Sequence, residues 1–247
     1  MSGETTAFGA ARIDLRGEVL HGLPSGALWW AAARTLVVAD LHFEKGSSFA
    51  RRGSLLPPYD SHATLARLEA DVAALAPACV ISLGDAFHDP FAVERLETGV
   101  RARLADLQRG RAWIWIDGNH DAAAASAPGG ERTAEWAVGP LVFRHEPRRG
   151  AIGEIAGHLH PAARVKVASG TVRRHCFAGD ARRLILPAYG ALAGGLDVAS
   201  PAFDGLFAAE DFAVHLLGNG RVHTMPERAV IGIALSRDGT TRRRATR

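Results

Sequence analysis

The stretch GHLHP places His158 and His160 on either side of one leucine. The apolar run before it predicts a strand over residues 152–156, and residues two apart along a strand project to the same side. The two imidazoles would therefore lie together just beyond the end of that strand, which suits a metal ion better than a hydrophobic core. A polar loop with two incidental histidines explains an isolated pair equally well, so the other residues must decide.

Polar residues also follow the ends of the other predicted strands. Open α/β sheets bind their ligands at the carboxyl ends of strands, so these residues are candidates for one shared site. They are Asp40, His42, Asp85, Asn119, His120, Asp121 and His145. Each of them alone has an ordinary explanation as a helix cap, a turn residue or a loop histidine. The whole series, met in this order after successive strands, favours one site that joins them.

The elements that must position these residues alternate between strands and helices in the first half of the chain. Continuous apolar runs predict strands over residues 28–31, 35–39, 79–83 and 112–116. Apolar stripes predict one helix from Asp60 or Ser61, acting as its cap, to Leu75, and a second over about 90–108. A polar loop is expected over 44–58. Such βα units build a parallel sheet with helices on its faces.

The second half of the sequence has a different pattern of predicted elements. Short strand-like runs separated by turns predict mostly sheet beyond Gly130. The predicted strands cover residues 134–138, 141–144, 152–156, 163–167, 171–177 and 183–186.

Composition indicates an ordinary globular protein, with 247 residues of which 47% are apolar and 22% charged. We expect a single domain over 1–225, with a motif core over about 35–190, and a basic extension over 226–247 that is flexible at its end. No apolar run approaches the roughly 18 to 20 residues that cross a membrane. Because the N-terminus also lacks a secretory pattern, we expect a cytoplasmic protein without a membrane partner. Cys79 and Cys176 are expected to be buried thiols.

The motifs D-x-H, GD, GNHD, a lone histidine and GHxH, met in series, resemble the calcineurin-like metallophosphoesterase superfamily over residues 35–190. The resemblance implies an α/β fold, a four-layer α/β/β/α sandwich of two mixed sheets flanked by helices. It also implies two metal ions about 3.5–4 Å apart. The implied first metal has the ligands Asp40, His42 and His160; the second has Asn119, His145 and His158; Asp85 bridges them.

The same resemblance implies roles for two residues that are not ligands. A metal-bridging hydroxide would attack phosphorus, and His120 would assist the leaving group, with Asp121 available to orient that imidazole. The ligand set of imidazoles, carboxylates and an amide without a thiolate favours Mn²⁺, with Fe or Zn²⁺ as alternatives.

Three further stretches, residues 39–53, 64–68 and 184–195, resemble the ligase-associated DNA damage response phosphoesterases, the PdeM-like branch. That resemblance implies a metal-dependent phosphodiesterase or endonuclease of bacterial DNA repair. The implied partners are DNA and an ATP-dependent DNA ligase, a helicase and a nuclease. Two alternatives stay open: a phosphodiesterase of cyclic nucleotides or nucleotide pyrophosphates, and a partner-binding subunit of a repair complex.

Basic residues near the motifs are candidates for gripping phosphate. The net charge of +3 and the pI near 9.3 permit a polyanionic partner without establishing one. The candidates are Lys45, Arg51, Arg52, His88 and Arg144, each of which is alternatively a solvated or supporting residue. The chain lacks the arginine of the GDxxDRG motif after Asp85, which argues against a phosphoprotein phosphatase.

Overall fold

The structure of the protein is a computed structural model that describes residues 9–51, 53, 59–119, 129–168, 170–209 and 211–233. Within these residues, no helix is long and apolar enough to span a membrane.

The first sheet has seven strands that follow one another across the sheet in chain order. They are β1 (Ala11–Leu15), β2 (Glu18–Gly22), β3 (Leu28–Trp30), β4 (Thr35–Val38), β5 (Cys79–Leu83), β6 (Ala112–Ile116) and β7 (Glu131–Thr133). Strands β1 to β4 pair antiparallel, and β4 to β7 pair parallel. The predicted strands β3 to β6 are confirmed. Sequence analysis missed β1, β2 and β7, whose frequent charged residues hide the strand pattern.

On the outer side of this sheet the described residues form four helices, of which the first packs on the second and third. They are α1 (Lys45–Arg51), α2 (Asp60–Leu75), α3 (Ala92–Arg95) and α4 (Thr98–Gln108). Leu65 and Leu68 of α2 and Leu104 of α4 are fully buried, in one apolar cluster with Val38 and Val80 of the sheet. This packing holds the loops that follow β4 and β5 at one edge of the sheet.

Two local predictions in this region are wrong. The expected loop over 44–58 begins as helix α1, although Gly46 disfavours a helix by about 1 kcal/mol. Tertiary contacts override that preference, because the Asp60 carboxylate accepts a hydrogen bond from the Gly46 N–H at 3.0 Å. Ser61 Oγ likewise accepts from the Glu44 N–H at 2.9 Å. Asp60 and Ser61 therefore tether α1 instead of capping α2.

The second predicted helix is two helices. Leu96 and Glu97 adopt extended backbone conformations, with ψ of 124° and 144°, and separate α3 from α4. The side chain of Arg95, the last residue of α3, forms two hydrogen bonds with the Asp89 carboxylate at 2.9 and 2.7 Å. This pair anchors α3 to the loop that follows β5.

The second sheet is mixed and has nine strands. They are β8 (Glu135–Val138), β9 (Leu141–Arg144), β10 (Glu154–Ala156), β11 (Pro161–Val167), β12 (Gly170–Gly179), β13 (Arg183–Ile185), β14 (Leu196–Asp197), β15 (Ala213–Gly218) and β16 (Arg221–Pro226). Six of them match the predicted strands. β10 is shorter than expected because Ile152 is 56% exposed and lies outside it. Sequence analysis missed β14, β15 and β16.

The two sheets face each other across an apolar core. Leu28, Ile81 and Ile114 of the first sheet are in one buried cluster with Phe143 and Ile155 of the second. A further apolar cluster covers the outer face of the second sheet, where 3₁₀ turns at Pro201–Phe203 and Glu227–Ala229 lie beside loops and the β15–β16 hairpin. The predicted sandwich of two mixed sheets is confirmed. Cys176 is buried as expected, and Cys79 is half-buried.

Candidate metal centre

The polar residues of the sequence motifs meet at one edge of the sandwich. Asp40 follows β4, Asp85 follows β5, His145 follows β9 and His158 follows β10. The loops after β4 and β5 are bonded to each other, because the His42 N–H donates to the Asp85 carbonyl at 2.9 Å. Parallel pairing of β4 with β5 and of β9 with β10 therefore brings distant parts of the sequence together.

Asp40, His42 and His160 form the first of two groups of ligand atoms, and all three atoms lie within 4.8 Å of one another. His160 Nε2 is 3.2 Å from Asp40 Oδ1, and the Nε2 atoms of His42 and His160 are 3.3 Å apart. Asp40 and His42 are buried, and His160 is half-buried. Solvent therefore reaches this group mainly at the side chain of His160.

Asp85, His145 and His158 form the second group, with the same 4.8 Å limit between ligand atoms. His145 Nε2 lies 3.5 Å from Asp85 Oδ1 and 3.1 Å from His158 Nδ1. The other ring nitrogen of His145 donates to the Leu83 carbonyl at 2.9 Å. With Nδ1 as the donor, a neutral His145 ring presents Nε2 as an acceptor aimed into the group, as in many metal-binding histidines.

The backbone of both groups is unusual. Asp40, His42, Asp85, His158 and His160 all have positive φ angles, between 45° and 68°. Non-glycine residues rarely adopt this conformation, and it costs on the order of 1–3 kcal/mol per residue. Strain concentrated in the residues of one cluster is typical of a functional site.

His158 and His160 correct the sequence argument about the GHLHP stretch. Both follow β10 in a loop with left-handed conformations, so they do not project like alternate residues of a strand. Each imidazole joins a different group. The backbone N–H of His158 donates to Asp40 Oδ2 at 3.0 Å, which fixes the loop across the first carboxylate.

Two glycines let the loops approach each other. A Cβ atom on Gly84 would lie 2.3 Å from His145 Nδ1, and one on Gly118 would lie 2.1 Å from the backbone N of Asp85. Both distances are far below van der Waals contact. The glycines of the GD and GNH motifs therefore provide the space that the second group needs.

The protonation of the first group follows from its burial and its neighbours. Burial opposes ionisation of Asp40, but the hydrogen bond to His160 and the nearby imidazoles outweigh it, so the pKa of Asp40 is lowered. Burial lowers the pKa of His42 to about 3. His160 has a raised pKa, because its contact with Asp40 outweighs the effect of burial. At neutral pH His42 is thus a neutral imidazole beside an ionised carboxylate, the forms that bind a cation.

Glu146 is a site residue that sequence analysis missed. Its Oε1 accepts a hydrogen bond from Asn119 Nδ2 at 2.5 Å and lies 3.9 Å from His158 Nε2. With Nδ2 held by Glu146, the oxygen of the Asn119 amide is the atom left to bind a ligand. The only sequence signal for Glu146 was its place directly after His145.

The remaining candidates are in varied positions. Lys45 is half-buried at the start of α1; burial lowers its pKa, and the nearby Asp60 and Asp40 offset that effect only in part. The His88 ring lies 5.6 Å from the His42 ring. Arg51 is exposed at the end of α1. Arg52, His120 and Asp121 lie outside the described residues.

Arg144 does not fit the role of a phosphate contact. Its guanidinium lies mostly within the protein and forms ion pairs with Glu154 at 2.8 Å and with Glu135 at 3.2 Å. These two carboxylates compete directly with any phosphate for the same charge. Arg144 therefore supports the packing of the second sheet, and we do not propose it as a contact of the substrate.

The donor set fits two divalent ions. Each group offers one carboxylate and two imidazoles, which are the ligands of Mn²⁺, Fe and Zn²⁺ and not of a soft metal.

The sequence model of calcineurin-like phosphoesterases matches residues 33–182. The chain belongs to the calcineurin-like phosphoesterase family. Its members are metal-dependent phosphoesterases, in agreement with the two ligand groups.

Two solved structures resemble this phosphoesterase. The crystal structure of the Pseudomonas putida nuclease MPE aligns with a TM-score of 0.67 and 31% sequence identity, over 87% of this chain and 100% of that one. Yfce, a phosphoesterase from E. coli, aligns with a TM-score of 0.39 and 12% identity, over 77% of this chain and 97% of that one. No curated protein matches the chain.

Proposed function

We propose that this phosphoesterase is a dimetal phosphodiesterase that hydrolyses DNA. The observation that carries the proposal is the pair of adjacent ligand groups, each with one carboxylate and two imidazoles. The similarity to the P. putida nuclease over nearly the whole chain supports nucleic acid as the substrate. We further propose one catalytic domain over 1–225, followed by a basic extension over 226–247 whose first residues, including the buried Val230 and Ile233, pack against the second sheet.

The proposed ligand roles are those implied by the sequence motifs. Asp40, His42 and His160 would hold the first ion, Asn119, His145 and His158 would hold the second, and Asp85 would contribute to both. When bound, two divalent ions would supply Lewis acidity toward the phosphoryl oxygens and an activated water. The protein contributes a preformed ligand geometry, fixed by the Leu83 carbonyl on His145 and by Glu146 on Asn119.

His120 is the proposed general acid, with Asp121 as its orienting partner. A leaving alkoxide needs a proton as the phosphorus–oxygen bond breaks, and an imidazole supplies it near neutral pH. The position directly after the ligand Asn119 suits this role. Lys45, Arg51, Arg52 and His88 are the proposed contacts of the substrate phosphates near the first group.

The cellular context that we propose is bacterial DNA repair in the cytoplasm, with Mn²⁺ as the metal. An ATP-dependent DNA ligase, a helicase and a nuclease are the proposed partners. The support is the resemblance of residues 39–53, 64–68 and 184–195 to the ligase-associated branch.

The test is Mn²⁺-dependent hydrolysis of three substrates side by side: bis-p-nitrophenyl phosphate, single-stranded DNA and 2′,3′-cyclic AMP. We expect cleavage of the DNA, and we expect His120→Ala to lower turnover by about 10²–10⁴-fold while metal content stays near two ions per chain. Loss of metal in this variant would contradict the role of His120. Activity on the small esters alone would replace the nuclease with a nucleotide phosphodiesterase.

A further inference from the structure

The hairpin formed by β11 and β12 has an unusual distribution of charge. No aspartate or glutamate occurs between Glu154 and Asp180, while this stretch contains Arg164, Lys166, Arg173 and Arg174. All four residues are exposed. The hairpin is therefore a positively charged element within a protein whose net charge is only +3.

Three of the four basic residues, Arg164, Lys166 and Arg173, lie on one face of the hairpin, whereas Arg174 is paired with Ala163 and belongs to the other face. Ala163 and Val165 are fully buried in the apolar cluster on the other face. Side chains alternate along strands, so Arg164 and Lys166 point away from that cluster. The strand register places Arg173 directly opposite Arg164. We call Arg164, Lys166 and Arg173 the basic hairpin face.

This pairing of like charges does not serve the stability of the sheet. Like charges directly opposite each other on neighbouring strands are destabilising. Asp197 offsets Arg164 through an ion pair at 2.7 Å. In the part of the chain that the structure describes, neither Lys166 nor Arg173 has a carboxylate partner, although Arg173 donates to the Gly195 carbonyl. An anion from outside the protein would supply the missing charge.

The basic hairpin face is continuous with the metal centre. β11 begins directly after His160, a member of the first ligand group. His175, paired with Ala162 in the register, lies between the two regions. From His160 to Lys166 the strand advances about 3.3 Å per residue, or roughly 20 Å in all.

We propose that the basic hairpin face binds the phosphate backbone of a DNA strand whose scissile phosphodiester lies in the metal centre. The inference rests on the proposed hydrolysis of DNA and extends it to a second stretch of the same strand. Arginine and lysine contacts to phosphate carry no base information, so the binding is independent of sequence. Each contact also makes binding weaker at high salt, because binding releases counterions.

The test compares two double variants of equal charge. Lys166→Gln with Arg173→Gln removes two charges from the basic hairpin face. Arg16→Gln with Arg109→Gln removes two exposed charges from the turn after β1 and the residue after α4. Strand polarity puts these control positions at the edge opposite the metal centre. Binding of a fluorescein-labelled phosphorothioate single strand to the Mn²⁺-loaded proteins is followed by anisotropy from 50 to 200 mM salt.

We expect the hairpin variant to bind at least about tenfold more weakly at 100 mM salt, with a log–log salt slope that is smaller by about 1.4. The control variant should keep the wild-type slope. Hydrolysis of bis-p-nitrophenyl phosphate should be the same in all three proteins, because this ester is too small to reach the hairpin. An equal loss in both variants, or none in the hairpin variant, would overturn the proposal.

The result also separates this inference from the proposed function. If the wild-type protein cleaves DNA and the hairpin substitutions leave its DNA binding unchanged, the proposed nuclease function stands and the hairpin proposal is refuted. If the protein binds DNA through the hairpin without cleaving it, the hairpin proposal stands and the proposed nuclease function is refuted. A wild-type protein that does not bind the strand at all contradicts the hairpin proposal directly.

Discussion

The two ends of β10 border two buried polar clusters that balance charge in different ways. At its start, the Glu154 carboxylate is fully buried and accepts hydrogen bonds from Arg183 and Arg144, both at 2.8 Å. Beyond its end lies the metal centre, where the ion-pair neighbours of Asp40 in the described part of the chain are the imidazoles of His145 and His160. One carboxylate is paired with permanent cations, and the other with imidazoles, which also exist as neutral ligands.

This difference explains why the charges of one cluster are balanced by the chain itself, whereas the other cluster is a binding site for a cation. Arginine stays protonated in proteins, so the cluster around Glu154 is neutralised by the chain itself. Imidazoles are neutral ligands when their pKa is low, as for His42. Buried carboxylates among neutral imidazoles are left with negative charge, which a divalent cation neutralises. A buried acid surrounded by histidines therefore indicates a metal more strongly than one surrounded by arginines.

The largest effect that tests this comparison is expected from Asp85→Asn. In the proposed site this carboxylate would contribute to both ions, so metal content should fall well below two per chain and hydrolysis should fall to background. Without metal, the free energy of unfolding should stay unchanged or rise, because the substitution removes a negative charge from the cluster. Metal analysis and denaturant unfolding of the metal-free proteins check both points. A variant that retains two ions would refute the bridging role.

Glu154→Ala should, in contrast, lower the free energy of unfolding. It leaves the buried guanidinium of Arg183 without its carboxylate, and such a loss costs about 3–5 kcal/mol of unfolding free energy. Urea unfolding of the metal-free protein measures it. The double variant Glu154→Met with Arg183→Met should recover much of the loss, because no unpaired charge remains. A loss below 1 kcal/mol in the single variant would show that the two clusters do not differ as described.

Glu146→Gln tests the residue that holds Asn119. An amide accepts the Asn119 hydrogen bond more weakly than a carboxylate and removes a negative charge near His158, so we expect metal affinity to fall by about 10–100-fold. Calorimetric titration with Mn²⁺ gives the affinity for each ion. Glu135→Gln, which changes a carboxylate in the cluster around Glu154, is the matched control. Equal affinities in all three proteins would leave Glu146 without a positioning role.

Acid sensitivity gives the smallest effect. In the folded protein burial lowers the pKa of His42 to about 3 and that of His215 to about 4. The unfolded chain takes up these protons near pH 6.5, so stability is present above that pH and decreases as the pH falls toward 4. Chemical unfolding of metal-free protein between pH 7.5 and 4.5 measures the trend. His215→Gln should reduce the slope; stability that is constant over this range would contradict both shifts.

Much of the fold could be predicted because buried strands and amphipathic helices leave periodic patterns. The apolar runs of β4, β5 and β6 gave the parallel centre of the first sheet, and α2 was placed at its observed bounds. The failures have a common cause in tertiary contacts. Helix α1 forms despite Gly46 because Asp60 holds its first turn. The pairing of β15 with β16 is not indicated by any local sequence pattern.

The sequence by itself determined the residue types of the site, their order after successive strands and the family to which the chain belongs. These follow from local chemistry, because motifs such as GNHD and GHxH are short and contiguous. The structure brings together the two ligand groups that the resemblance implied. Only the tertiary structure decided that Glu146 holds Asn119, and that Arg144 is paired with Glu154 and Glu135 instead of facing substrate. Those contacts join residues far apart in the chain or depend on left-handed backbone conformations, so strand pairing and loop packing alone fix them.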